Sequence, residues 1–216
     1  MATEDSHKEP LRALLWSNGF VENETEILSY AGCSKVDSAL VLGGFLQEKA
    51  PHVHLVVHRD ADYCSQAASV TFVERLDRGG VAPFLTERND VESYFLNAEH
   101  LHALNPSVSL DRVRELLLQA TVETAAKSLA AIVNQRTTEA FQRRREGGPQ
   151  PDHGEIAVRA QEEYAADPEG MRRGKEVLGR LRALLQTEMG TNPRIFFPSE
   201  HLRSVSLRAI AERVRA

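Results

Sequence analysis

Asp60 and Asp62 are the residues whose types and spacing point most directly to chemistry. They follow the run VHLVVH at 53–58, whose adjacent apolar residues read as a buried strand. Residues two apart on a strand face the same side, so the spacing predicts that both carboxylates project into one crevice. Two negative charges about 5 Å apart, at an effective dielectric of about 20, repel by roughly 3 kcal/mol. Protonating one of them, pairing them with basic groups or binding a cation relieves that repulsion. Arg59 falls on the opposite pleat and is a poor partner for both. Oxygen-only ligands on a strand end suit magnesium or manganese, which keep waters and accept one or two carboxylates plus a substrate phosphate. The competing reading of the pair is a turn or a helix cap.

Two further acids fall at corresponding places. Glu4 precedes the first predicted helix, where a short first strand should end, and Glu92 lies in NDVESYFL, shortly after the strand VAPFLT. A helix N-terminal charge is the simple alternative for Glu4, and exposed surface for Glu92. Together with the Asp pair they make four acids expected to converge on one crevice. His52, His54 and His58 alternate along the same predicted strand, but a zinc site there would need an exposed strand edge. Tyr63, Tyr94, Cys33 and Cys64 read as packing residues.

The elements that must position these side chains alternate between helix and strand in the front half. The pattern predicts helices over 10–20, 35–49 and 64–80, strands over 53–63 and 81–86, and a short apolar run over 26–35. Strands separated by helices of this length imply right-handed crossovers and a parallel sheet, whose ligands sit outside the carboxyl ends of the strands. The back half is helical: a long stretch over 109–145, a Gly/Pro loop over 146–155, an amphipathic helix over 169–190 and a terminal helix starting at Pro198 and Ser199. The expected fold is therefore α/β, a small parallel sheet of about four strands with flanking helices over 1–105, followed by a helical extension over 106–216.

Composition narrows the function classes. The 216 residues are 42% hydrophobic and 26% charged, with a net charge of -5, which argues against holding nucleic acid by bulk positive charge. The charge is uneven: residues 1–108 carry 8 Lys/Arg against 16 Asp/Glu, and residues 109–216 carry 18 against 15. An acidic front and a mildly basic back suit a cation in front and an anionic partner behind. No run approaches the length of a membrane span, and the charged start MATEDSHKEP does not read as a signal peptide, so the expected compartment is the cytoplasm. Two cysteines make neither a zinc quartet nor a disulfide framework.

TED at 3–5, YAGCSK at 30–35, HRDAD at 58–62 and DVESYF at 90–95 together resemble a TOPRIM domain, of the type found in OLD-family (overcoming lysogenization defect) nucleases. The likeness covers residues 1 to about 100, and more loosely RRGKEVLGRL at 172–181. It implies a magnesium- or manganese-dependent DNA endonuclease with Glu4, Asp60, Asp62 and Glu92 as metal-binding and catalytic acids. Lys175 matches the assisting lysine of the helical part. The Gly32 turn would let backbone approach a phosphate, and Arg143, Arg144, Arg145, Arg172 and Arg173 would contact the DNA backbone.

The chain departs from that family in three ways. Asp5 stands where the family has glycine, only residues 1–3 precede Glu4, so that the sequence reads as a fragment or as starting downstream of a natural strand, and no GxxxxGK[ST] occurs. An ATPase would be a separate chain or missing sequence, and the helical stripes do not choose between docking on the sheet and docking on a second copy. The alternatives from other classes are a non-catalytic TOPRIM-like partner-binding subunit and a phosphorylation-controlled receiver-like module. The receiver-like reading draws on TEDS and Asp60, but ADYCSQ replaces the expected Met-Pro turn and VAPFLTERND lacks a strand-end lysine.

Overall fold

A computed structural model describes residues 1–30 and 36–215. The YAGCSK turn, with Gly32 and Cys33, falls largely outside the described residues. Two compact units emerge: residues 1–87 with 196–216, and residues 88–195. The chain therefore divides at Glu87 and Arg88 rather than near residue 105, and its C-terminal segment belongs with the sheet.

The first unit is an α/β layer. Its strands are β1 (Ala2–Thr3), β2 (Leu28–Ser29), β3 (Val56–Arg59) and β4 (Ala82–Leu85), all parallel, in the order β2-β1-β3-β4. Its helices are α1 (Glu9–Ser17), α2 (Val36–Lys49) and α3 (Gln66–Arg78). The first strand is as short as expected, yet it lies in the interior of the sheet. Because β2 pairs on one side of β1 and β3 on the other, winding reverses between them, and right-handed crossovers then send α1 to one face and α2 and α3 to the other. The core agrees: Ala2, Val57 and Leu85 pack with Val36, Ala39 and Leu40 of α2 and with Phe72, Val73 and Leu76 of α3. Thr3, Val56, His58 and Phe84 alternate onto the opposite face.

The second unit is helical: α4 (Ala98–Leu104), α5 (Leu110–Glu123), α6 (Ala125–Arg145), α7 (His153–Ala166) and α8 (Gly174–Met189), preceded by a 3-10 turn at Val91–Phe95. Its core holds Val113, Leu116, Ala120, Ile132, Val177, Leu181 and Leu185. The single long helix expected over 109–145 is two helices bent by 52° at Thr124, whose hydroxyl donates to the Ala120 carbonyl. The segment read as a loop over 146–155 gives way to α7 at His153, where Asp152 accepts from the backbone of Gly154 and Glu155. No single helix among the described residues is long and apolar enough to cross a membrane.

The terminal helix, α9 (Val205–Arg215), starts seven residues after Pro198, not at it. Ser204 is the reason: its hydroxyl accepts from the Leu207 N–H and donates to the Glu87 carboxylate, which also takes the Ser206 N–H and hydroxyl. Asn18, buried at the end of α1, anchors the approach to α9, donating to the Leu14 and Leu202 carbonyls and accepting from the Ser204 N–H. Asn18→Ala strands buried backbone groups, so we expect a loss of about 1–3 kcal/mol in denaturant unfolding. An unchanged midpoint would show that the α1–α9 tether does not hold this unit together.

Candidate metal centre

Glu4 and Asp5 follow β1 directly, and Asp60 follows β3 directly. Since β1 and β3 pair in parallel, with Thr3 opposite His58, the residues that follow both strands emerge side by side. The Glu4 carboxylate accepts the Asp60 N–H at 2.8 Å. Half-burial pushes the Glu4 carboxyl up from its ordinary range, that hydrogen bond opposes the shift, and the negative charges of Asp60 and Asp62 reinforce it. The two aspartates and Glu4 thus share one electrostatic neighbourhood, at the point where winding reverses.

The route by which Asp62 gets there differs from the expected one. β3 ends at Arg59, and Asp62 and Tyr63 both adopt left-handed backbone, φ 45° and 59°, in the turn before α3. Pleat alternation therefore does not govern the D-x-D spacing; a turn carries the second aspartate. The Ala61 N–H donates to Thr86 Oγ1 at 2.9 Å, which fixes the turn to the end of β4.

The same strand length removes the proposed row of histidines. His52 and His54 precede β3 and are exposed, whereas His58 lies on it with no exposed surface. Its ring stacks obliquely on Phe84, 5.3 Å between centroids, and Nδ1 lies 2.8 Å from Thr3 Oγ1. Nε2 has no hydrogen-bond partner, and its nearest acid oxygen is Asp60 Oδ1 at 3.4 Å; Asp5 Oδ2 is 3.8 Å from Nδ1. One ligating atom from each of Asp5, His58 and Asp60 falls within 4.8 Å of the others. That donor set, with an orphaned buried nitrogen among carboxylates, fits a divalent cation. Sequence reasoning treated Asp5 as a departure from the family and weighed His58 only with His52 and His54, as a row along one strand. Their signal lay in the register of β1 against β3, which spacing alone does not specify.

Glu92 and Lys175 belong to the second unit, where one carboxylate organises the elements that carry them. Buried Asp90 accepts from the Ser93 N–H at 2.9 Å, capping the 3-10 turn that holds Glu92, and from the Lys175 N–H at 3.1 Å, at the start of α8. Gly174 makes this approach feasible, because a Cβ there would lie 2.0 Å from Asp90 Oδ1 and 2.5 Å from the Ser93 nitrogen. The Lys175 side chain is exposed and borders a pocket of about 400 Å³ lined also by Lys127, Glu176, Glu123 and Arg180. Lys127 and Arg180 pair there with Glu176 and Glu123.

One expectation about the remaining groups changes. Arg172 does not face solvent: it is 5% exposed, with its guanidinium on the Leu96 carbonyl and Thr121 hydroxyl, and desolvation lowers its pKa. It serves packing rather than a phosphate backbone. Arg143, Arg144 and Arg145 are exposed at the end of α6. Tyr63 and Tyr94 are buried, and Cys64 receives an Arg59 N–H at 3.6 Å.

Two predictions follow from these geometries. Gly174→Ala drives a methyl into Asp90 and Ser93, and we expect a loss of about 1–3 kcal/mol from overpacking, read by chemical unfolding. Burial holds the His58 pKa down to about 4 from 6.5, so the unfolded chain binds a proton that the folded chain refuses across that interval. Stability of chelator-treated protein should accordingly fall by about 3 kcal/mol as pH drops from 6.5 to 4. Raised Glu4 acts oppositely just above 4.5, so the slope is best read in Glu4→Gln; a flat profile there would contradict a neutral, buried His58. No family model, curated protein or solved structure matches the chain.

Proposed function

We propose that the chain is a divalent-metal-dependent DNA endonuclease of the OLD-like TOPRIM type. The observation that carries this reading is the gathering of Glu4, Asp5 and Asp60 at the carboxyl ends of two paired central strands, with Asp62 in the same electrostatic neighbourhood. Such ends, at a reversal of winding, are where parallel sheets bind ligands. Asp60 and Asp62 would hold magnesium or manganese, with Glu4 either a further ligand or the general base. A bound divalent ion supplies Lewis acidity toward a phosphoryl oxygen and acidifies water.

The chain's own residues do the rest. Glu4, its carboxyl raised by partial burial, is suited to take a proton from water as general base. The Asp60 N–H holds one Glu4 oxygen in place, which fixes the carboxylate's aim. Glu92 as a further ligand and Lys175 as a stabiliser of developing phosphate charge rest on the resemblance alone, as do DNA as substrate and a separate ATPase as partner.

Purified protein with magnesium or manganese should nick supercoiled plasmid. Asp60→Asn should reduce cleavage to background and Glu4→Gln by roughly 100-fold or more. Folded wild-type protein that leaves plasmid intact with either ion would defeat the reading and favour a non-catalytic binding subunit.

One observation favours a second reading, a phosphorylation-controlled module: Asp5 joins Asp60 at the ends of paired strands. A phosphoaspartyl adduct at Asp60, seen by intact mass after incubation with a small phosphodonor, would select it.

A further inference from the structure

We propose that Asp5, His58 and Asp60 form a mixed nitrogen–oxygen site for a first-row transition dication, with His58 Nε2 as the nitrogen donor. This deepens the metal-centre part of the nuclease reading and does not need the cleavage part.

A histidine with no exposed surface, set in the middle of a parallel sheet, would ordinarily satisfy both ring nitrogens, since an unmet buried polar atom costs about 1–3 kcal/mol. His58 satisfies one. Thr3 Oγ1 engages Nδ1, so with the proton on Nδ1 the Nε2 atom presents a bare lone pair. Thr3 is itself held, because its hydroxyl oxygen also accepts the Asp5 N–H at 3.2 Å. The ring is therefore fixed by a hydroxyl on one edge and by Phe84 on one face, the kind of support that orients a metal-binding imidazole. Asp60, only 13% exposed at its side chain, lies beside Nε2, and Asp5, 38% exposed, lies beside Nδ1, with one ligating atom of each residue within 4.8 Å of the others. Asp5 leaves a solvent side open, so three protein ligands and exchangeable positions are available.

The ligand type decides the class of ion. Magnesium demands octahedral oxygen and gives up its waters reluctantly. Imidazole nitrogen suits zinc, iron and their neighbours, and manganese accepts it alongside carboxylates. A magnesium-only centre has no use for the orphaned nitrogen; a transition ion does.

The test uses the full chain, stripped with a chelator and titrated calorimetrically with Mn(II), Zn(II) and Mg(II). We expect one Mn(II) or Zn(II) per chain, bound at least about tenfold more tightly than Mg(II), with Asp5→Asn weakening Mn(II) by about tenfold or more. Pulsed electron paramagnetic resonance on the Mn(II)-loaded wild type should show a coupled histidine nitrogen, a readout independent of whether a His58 variant folds. Absence of that coupling, Mg(II) binding as tight as Mn(II), or no binding of either transition ion would overturn the proposal. A coupled nitrogen in protein that does not nick plasmid would sustain it while removing the nuclease reading.

Discussion

The parallel pairing of β1 with β3 is the constraint on which the rest of the first unit depends. Two residues of β1 suffice, because Thr3 sits opposite His58 and the chain then leaves both strands at the same level. Glu4 and Asp5 on one side, and Asp60 on the other, become neighbours through backbone hydrogen bonding rather than through any attraction between them. Their mutual repulsion is held by a fold whose core, from Ala2 and Val57 to Phe72 and Leu76, lies on the opposite face. A single-residue slip in this register would move Thr3 off His58 and separate the acids. The hydrogen bond between Thr3 and His58 and the one from Asp60 to Glu4 both report that register directly.

The second unit uses a comparable economy. One buried carboxylate, Asp90, caps a 3-10 turn and the start of α8 together, so that NDVES and RRGKE, joined by a contact between residues 85 apart in sequence, meet at one group. Gly174 is required by the closeness of that meeting, not by an unusual backbone angle. Arg172 beside it is consumed by the interior, with its guanidinium on Leu96 and Thr121. A basic residue in a sequence motif is thus not evidence of an anionic partner until its burial is known.

Much of the first unit was legible from periodicity. The helix predicted over 35–49 is α2 almost residue for residue, and the strand over 81–86 contains β4. The parallel sheet follows from the alternation of such segments. Legibility failed where tertiary contacts override local pattern. β3 is shorter than its apolar run, since Val53 and Leu55 lie before the ladder begins, and this took His52 and His54 off the strand and placed Asp62 in a turn. The terminal helix starts after Ser204, whose hydroxyl caps it and engages Glu87, a contact that local pattern does not reveal. The candidate site was half legible. Glu4, Asp60 and Asp62 stood out as acids, but Asp5 and His58 acquire meaning only once Thr3 and His58 are known to be opposite each other.

Carboxylates at a winding reversal and an imidazole with one nitrogen unmet support the proposed cation site from two sides. Glu4 is pushed toward its neutral form by burial and by its acidic neighbours, and His58 stays neutral because burial forbids its charge. X-ray diffraction from crystals soaked in manganese, collected for anomalous signal, tests that account most directly. It predicts an anomalous peak in coordinating contact with Asp60 and His58, beyond the ends of β1 and β3; well-diffracting crystals with no peak there, or with the ion bound only elsewhere on the surface, would contradict it.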